Sequence, residues 1–450
     1  MRLPIREAAS ALDQHHWKLL AALGAASFFE GYDINIVIVA LPQIRETFGL
    51  SQAQASLWLS VLYLGALPAM LVSRRADHLG RKRLLLLTIW GYTLATFATA
   101  LAPNIGAFAI MQFLARAFLI AEVAIAWTFL AEELPAGSRG FGFGALAMLS
   151  ALGTGLASLL WALVLAPLGA SWRWLYVAAL PVLAIVVWLR RDLPESKRFT
   201  AAQEQGHLTG NWTEILRPPY RSWLLLACAA LFLGESITHA QVFVVDFLQT
   251  QRGFSPSTSN LMLIGAGGLA IPTLLYAGAL SDRFGRRTMA IMFLLVSAAG
   301  PILFFAAGQG AIALFVCLAI MYVGTFGAWP TLGAYGSELF PTRLRAFGGA
   351  AVTFAKVGGQ FSSFVAAAAL LARLNSFPLT VAILCVGPFL AALVTFKLPE
   401  TKGAELETIS GDDVFLPLGQ RPIAATVDST APGSDASTQV MRGSERNQDS

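Results

Sequence analysis

Twelve stretches of this chain are each about 20 residues long and almost wholly apolar, the length an α-helix needs to cross a hydrocarbon core of about 30 Å. A backbone in hydrocarbon has to satisfy its own hydrogen bonds, so each stretch reads as a helix. The first six lie near residues 17–42, 56–76, 84–103, 106–131, 141–167 and 172–190. The second six lie near 221–248, 259–281, 288–307, 310–335, 346–373 and 377–397. Composition points the same way. Apolar residues make up 56% of the chain and charged residues only 13%, too few to wet the surface of a large soluble enzyme. The polar stretch 191–220, with Gly206, Pro218 and Pro219, reads as a linker. Residues 404–450, rich in Ser, Thr, Asp and Gln, read as a mostly disordered tail. The expected architecture is an all-α membrane protein of twelve transmembrane helices in two six-helix bundles, residues 1–190 and 221–403.

Cys228, Cys317 and Cys385 all fall inside apolar runs, so no disulfide framework is expected. No CxxC or His/Cys cluster occurs, so neither a metal site nor a cofactor is expected. No nucleophile–base pair or phosphate loop points to an enzyme. Orientation follows the basic residues near span ends. With the N-terminus in the cytoplasm, about 25 of the basic residues fall on the cytoplasmic side; Arg45, Arg173, Arg252 and Arg373 fall outside. Both termini are therefore expected to be cytoplasmic. The net charge of +5 reflects this bias and implies no nucleic-acid partner.

Three motifs recur at one offset of 205 residues. Asp77-His-Leu-Gly80-Arg81-Lys82 returns as Asp282-Arg-Phe-Gly285-Arg286-Arg287. Glu133…Arg139 returns as Glu338…Arg345 or Arg343, and LPES at Leu193 returns as LPET at Leu398. Two homologous halves in the same orientation, with a site between them near the bilayer midplane, are a transporter plan.

With these motifs the chain resembles the major facilitator superfamily over about residues 17–403. The family loop motif, G-x-x-x-D-[RK]-x-G-R-[RK], is complete at Gly278–Arg287; in the first half Ser73 and His78 depart from it. The resemblance implies cytoplasmic gating by Asp77, Gly80, Arg81, Glu133, Arg139, Asp282, Gly285, Arg286, Glu338 and Arg343. ELFPTRLRAFG, LPETKGAELE and FFEGYD look like both sugar porters and the organic-ion and aromatic-acid proton symporters. The seventh span, FLGESITHAQVF, lacks the Gln-Gln pair of sugar porters, and the fifth lacks the Gly-Pro of drug antiporters. AKVGGQFSS in the eleventh is similar to the R-x-G-G of the organic-ion and aromatic-acid porters, with Lys356 at the Arg position. The resemblance implies a multi-pass cell-membrane transporter, acting as a monomer, that carries a small molecule with protons. Sugar symport, drug efflux and a non-transporting sensor that signals through its tail are the alternatives.

Ionisable groups inside a bilayer are costly and default to functional roles with named partners. Glu30, Asp33, Arg116, Glu122, Glu235, His239 and Lys356 all lie within apolar runs. Asp33 and Arg116 share a depth in the first and fourth spans, so they are expected to pair; related sugar porters couple protons through a first-span Asp and a fourth-span Arg, though Gln112 holds that Arg position here. Glu30 and Glu235 also match at 205 residues. Lys356 needs an anion, either Glu235 across the cavity or a substrate carboxylate. With Arg116 it argues for an anionic substrate. The expected substrate-binding residues are Arg116, Lys356, Glu235 and Tyr32, and the expected proton carriers are Asp33, Glu30, Glu235 and His239. His239 lies one turn beyond Glu235 and is placed on the same face.

Overall fold

The computed structural model describes residues 12–74, 81–134, 138–190, 212–218, 220–306, 308, 310–340 and 342–400. Most of the expected linker, the whole expected tail, Asp77 and Gly80 lie outside the described residues. Among the described residues there are helices and turns and no strand, and ten helices are long and apolar enough to cross a membrane.

The chain begins with α1 (Gln14–Phe48). Asp13 caps it: its carboxylate accepts from His16 N–H at 2.9 Å, and its own N–H donates to His16 Nδ1 at 3.3 Å. This reciprocal box satisfies two orphan donors and holds the Asp13 carboxyl below its usual range. α1 is closed by Gly49 in the left-handed conformation, φ 63°. The expected second span is two pieces, α2 (Gln52–Tyr63) and α3 (Ala66–Arg74). At the break Leu64–Gly65 the chain packs closely: a side chain at Gly65 would meet Phe113 O at 2.7 Å. α4 (Arg81–Ala100), α5 (Ile105–Glu133), α6 (Arg139–Leu160, extended by a π-helical turn Trp161–Leu165) and α7 (Arg173–Arg190) follow.

The second series opens with α8 (Tyr220–Gly234). A 3-10 turn, Glu235–Ile237, then interrupts the path before α9 (Thr238–Val242) and α10 (Val244–Thr250). α11 (Pro256–Phe284), α12 (Arg286–Ala306), α13 (Ala311–Glu338) and α14 (Thr342–Leu374) are long and continuous. α15 (Phe377–Leu384) and α16 (Val386–Thr395) divide the last path at Cys385.

α1 crosses α6 backbone to backbone. A Cβ at Gly31 would lie 1.8 Å from Ser150 O, and one at Gly153 would lie 1.7 Å from Phe28 O. Small residues let membrane helices approach this closely, where van der Waals packing replaces the hydrophobic drive available in water. A Cβ at Gly359 would likewise meet the Phe232 carbonyl at 2.3 Å, whereas Gly155, Gly267 and Gly268 face open space. Gly153→Leu is expected to cost at least 1–3 kcal/mol of stability, the usual range for overpacking being about that size. Thermal unfolding in detergent checks it: an unchanged midpoint contradicts a tight crossing.

Among the described residues there are three apolar cores. One is continuous from α1, α2 and α4–α7 to α9–α15, with Leu41, Leu59, Phe108 and Trp172 joined to Phe243, Phe247, Phe305 and Phe377. At the opposite end the cores are separate. Leu19, Leu85, Phe129 and Leu146 form one, and Phe293, Leu332, Phe340 and Leu398 form the other. Among the described residues, the two helix sets thus share one core at the end where α1 finishes and have separate cores at the end where it starts.

Candidate functional site

A charge in an apolar helix must find a partner, and the 3-10 turn after α8 presents one. Glu235 Oε1 lies 3.7 Å from Lys356 Nζ on α14. Its other oxygen, Oε2, accepts from Gln360 Nε2 at 3.0 Å and from Thr238 Oγ1 at 2.9 Å. Lys356 Nζ sits 4.8 Å from the centre of the Trp329 ring on α13, where the ring's electron-rich face attracts a cation. Glu235, Lys356, Gln360 and Trp329 line a cavity of about 270 Å³ together with Gln241, Ser297, Thr325 and Phe326. Gln241 Nε2 donates to Thr325 Oγ1 at 2.9 Å across it. The cavity has one cation, one carboxylate, several neutral hydrogen-bonding groups and two aromatic faces. That set can hold a small planar molecule by one charged end.

The other expected site residues fall elsewhere. Arg116 and Tyr32 do not line this cavity. Tyr32 is buried, and its hydroxyl donates to Leu175 O at 2.8 Å, tying α1 to α7. Asp33 is 1% exposed with Oδ1 unpartnered. It lies within electrostatic reach of Arg116 and beside Tyr92, but no ion pair within 4.0 Å joins it to Arg116 among the described residues. Equal depth places two residues in one layer and says nothing of their direction around the helix. Glu30 lies within electrostatic reach of Arg116, Glu122 and Lys356. Glu122 is buried and accepts from Thr88 Oγ1 at 2.5 Å, between α4 and α5.

His239 is not on the face of Glu235. It is fully buried, its Nε2 is 2.9 Å from Ser56 Oγ on α2, and its ring stacks on Phe243 at 4.3 Å. The 3-10 turn is the reason. It advances about 120° per residue, with three residues per turn, so four residues no longer return to one face.

A second polar group lies at the sealed end. Asp246 of α10 is fully buried and accepts from Arg45 of α1 and, at 2.9 Å, from Gln52 Nε2 of α2. Gln43 Nε2 donates to Gln249 Oε1 at 3.0 Å beside it. Sequence reasoning missed Asp246, although it is a further charge inside the seventh apolar run, and took Arg45 only as an outer loop cation.

Of the expected gating residues, Gly285 ends α11 at φ 102° and faces Glu400, whose carboxylate accepts from the N–H groups of Arg286 at 2.7 Å and Arg287 at 3.2 Å. The LPET motif thus caps the helix that the GRR motif starts, as a carboxylate at a helix N-terminus should. Arg286 also reaches Ser281 Oγ. Glu133 lies 3.6 Å from His15 Nε2. Arg81 and Arg139 open α4 and α6, Asp282 and Glu338 lie in the last turns of α11 and α13, and Arg343 lies in the first turn of α14.

Comparison with known proteins agrees with this architecture. The Major Facilitator Superfamily model matches residues 23–359 and 238–425. A Bacillus subtilis (strain 168) protein named for niacin and nicotinamide transport is 26% identical over 404 residues, covering 87% of this chain and 98% of its own. The gallate transporter of Pseudomonas putida is 30% identical over 195 residues, 42% of each chain. Among solved structures, the D-xylose-proton symporter superposes with a TM-score of 0.71 at 18% identity over 86% of this chain and 99% of its own, a likeness of fold. The chain therefore belongs to the Major Facilitator Superfamily: it is a multi-pass transporter of the cell membrane for a small molecule, and not an enzyme.

Proposed function

We propose that the chain is a proton-coupled symporter of a small organic anion, an aromatic or other carboxylate, working by alternating access. Twelve spans form two bundles, residues 1–190 and 221–403, with both termini in the cytoplasm, joined by the linker 191–220 and followed by the cytoplasmic tail 404–450. The observation that carries this reading is the Lys356–Glu235 pair set beside Trp329 in a cavity. An ammonium in a low dielectric binds a carboxylate through charge-assisted hydrogen bonds, and the aromatic faces accept a ring. The volume of about 270 Å³ lies just below the range of drug-sized pockets, which suits a one-ring acid. Relatives named for niacin and gallate transport are consistent with that class.

Arg116 contributes a second positive charge from the first half. Asp33, Glu30 and Glu235 are the candidate proton carriers. His239 and its Ser56 partner join the two halves rather than the cavity. The loops at Asp77–Lys82 and Asp282–Arg287 act as cytoplasmic latches. Further support for paired halves comes from Phe28–Gly153 and Phe232–Gly359, close backbone contacts at nearly the repeat spacing.

Asp33→Asn is expected to keep counterflow exchange of substrate and to lose accumulation against a gradient. Uptake into energised vesicles measures it. Full uphill accumulation by the variant removes Asp33 from the coupling path.

A further inference from the structure

Lys356 and Glu235 hold each other loosely. Their 3.7 Å separation compares with about 2.7–2.9 Å for a charge-assisted hydrogen bond. Their surroundings explain how the contact can open. Glu235 Oε2 accepts from two neutral donors, Gln360 and Thr238, and neither bond involves Lys356. Lys356 Nζ also has the Trp329 ring 4.8 Å away. Both side chains are about a quarter exposed, 26% and 23%, and both line the same cavity. An entering carboxylate therefore reaches the ammonium beside Oε1. One ammonium neutralises one carboxylate, and two carboxylates sharing a site cannot both stay ionised.

We infer that Lys356 is held in turn by Glu235 and by the carboxylate of the substrate, so that the anion binds only as Glu235 takes up a proton. The inference rests on the organic-anion reading above and gives it a coupling step. In the empty site Lys356 and ionised Glu235 sum to zero charge. In the loaded site the proton sits on Glu235, the substrate keeps its negative charge on Lys356, and the sum is again zero. The proton comes from water, no bond to carbon changes, and no other reactant is needed. The two states that would uncouple the cycle carry a net charge: anion with ionised Glu235, or Lys356 alone with protonated Glu235. Closing the cavity around an uncompensated charge is costly, so both are disfavoured in transit.

Among the described residues, few charged and titratable groups face this pair from the other half. Tyr63 on α2 lies within electrostatic reach of Glu235 and of Arg116, and Glu30 on α1 lies within reach of Lys356. His239, on the same path as Glu235, turns away to Ser56.

Calorimetric titration of the full-length protein in lipid nanodiscs tests the exchange. Benzoate, nicotinate and 3,4,5-trihydroxybenzoate are the probes, at about pH 7.5, where free carboxyl groups are ionised. Running each in two buffers of different ionisation enthalpy yields the protons taken up per anion bound. The wild type is expected to take up about one, with affinity falling about tenfold for each unit of rising pH, as linkage requires. Glu235→Gln is expected to bind the same anion with no proton uptake and an affinity flat with pH. Wild-type binding without proton uptake overturns the inference, as does Glu235→Gln with the wild-type proton count; either leaves the organic-anion reading standing. No binding of any carboxylate to the wild type overturns both.

Discussion

Replacing Lys356 with alanine lowers carboxylate uptake by about 10- to 150-fold, the equivalent of the roughly 1.5–3 kcal/mol a hydrogen bond to a charged group contributes. The loss appears in KM, because the missing contact is one of substrate binding. A stability effect is separated from this by the choice of substrate. A neutral carboxamide of the same ring keeps its residual transport in Lys356→Ala, since it does not use the ammonium. Lys356→Arg restores part of the carboxylate uptake by returning the charge over Trp329. Equal losses for carboxylate and carboxamide contradict the assignment of Lys356 as the anion anchor.

Replacing Asp246 with alanine opens the sealed end of the molecule. Asp246 is fully buried and bonded to both Arg45 and Gln52, and breaking a buried ion pair by removing one partner costs about 3–5 kcal/mol. That cost falls only on the conformation in which α10 meets α1 and α2, so the equilibrium moves toward the outward-open state. In the N-inside orientation this end faces the exterior. A cysteine placed by Leu59→Cys, buried in α2 beside this end, is expected to react with an external, membrane-impermeant maleimide at least tenfold faster in the Asp246→Ala background, about what 1.4 kcal/mol of that shift produces. Exchanging the charges, Arg45→Asp with Asp246→Arg, is expected to restore slow labelling. Unchanged labelling in Asp246→Ala contradicts a seal held by this pair.

The apolar runs made the helices legible, because a membrane allows few other structures for such a sequence. Where they break was less visible. Gly65 is forced by the approach of the Phe113 carbonyl, a fact of tertiary packing that no local pattern announces. The 3-10 turn at Glu235 had the same effect on the site: it sends Glu235 into the cavity and His239 to Ser56, where a continuous helix puts them on one face. The Lys356–Glu235 contact was legible because a lone ammonium in an apolar run has to find an anion, and the seventh span offered one. The Asp33–Arg116 pair follows from equal depth and from the family resemblance, and neither fixes the direction of the two side chains around their helices. Arg45 was read by its place near a span end, so its reach back to Asp246 could not be seen. The contact of Glu400 with the start of α12 joins two motifs that looked independent as text, since 114 residues separate Glu400 from Arg286.

External pH around substrate-free vesicles carrying the protein tests the central claim most directly. Organic acids, sugars and cationic drugs are added one at a time without any other ion gradient. Symport of an organic anion predicts alkalinisation of the medium on adding a one-ring carboxylate, and none when the vesicles carry Lys356→Ala. Alkalinisation with a sugar and with no acid, unaffected by Lys356→Ala, contradicts the account.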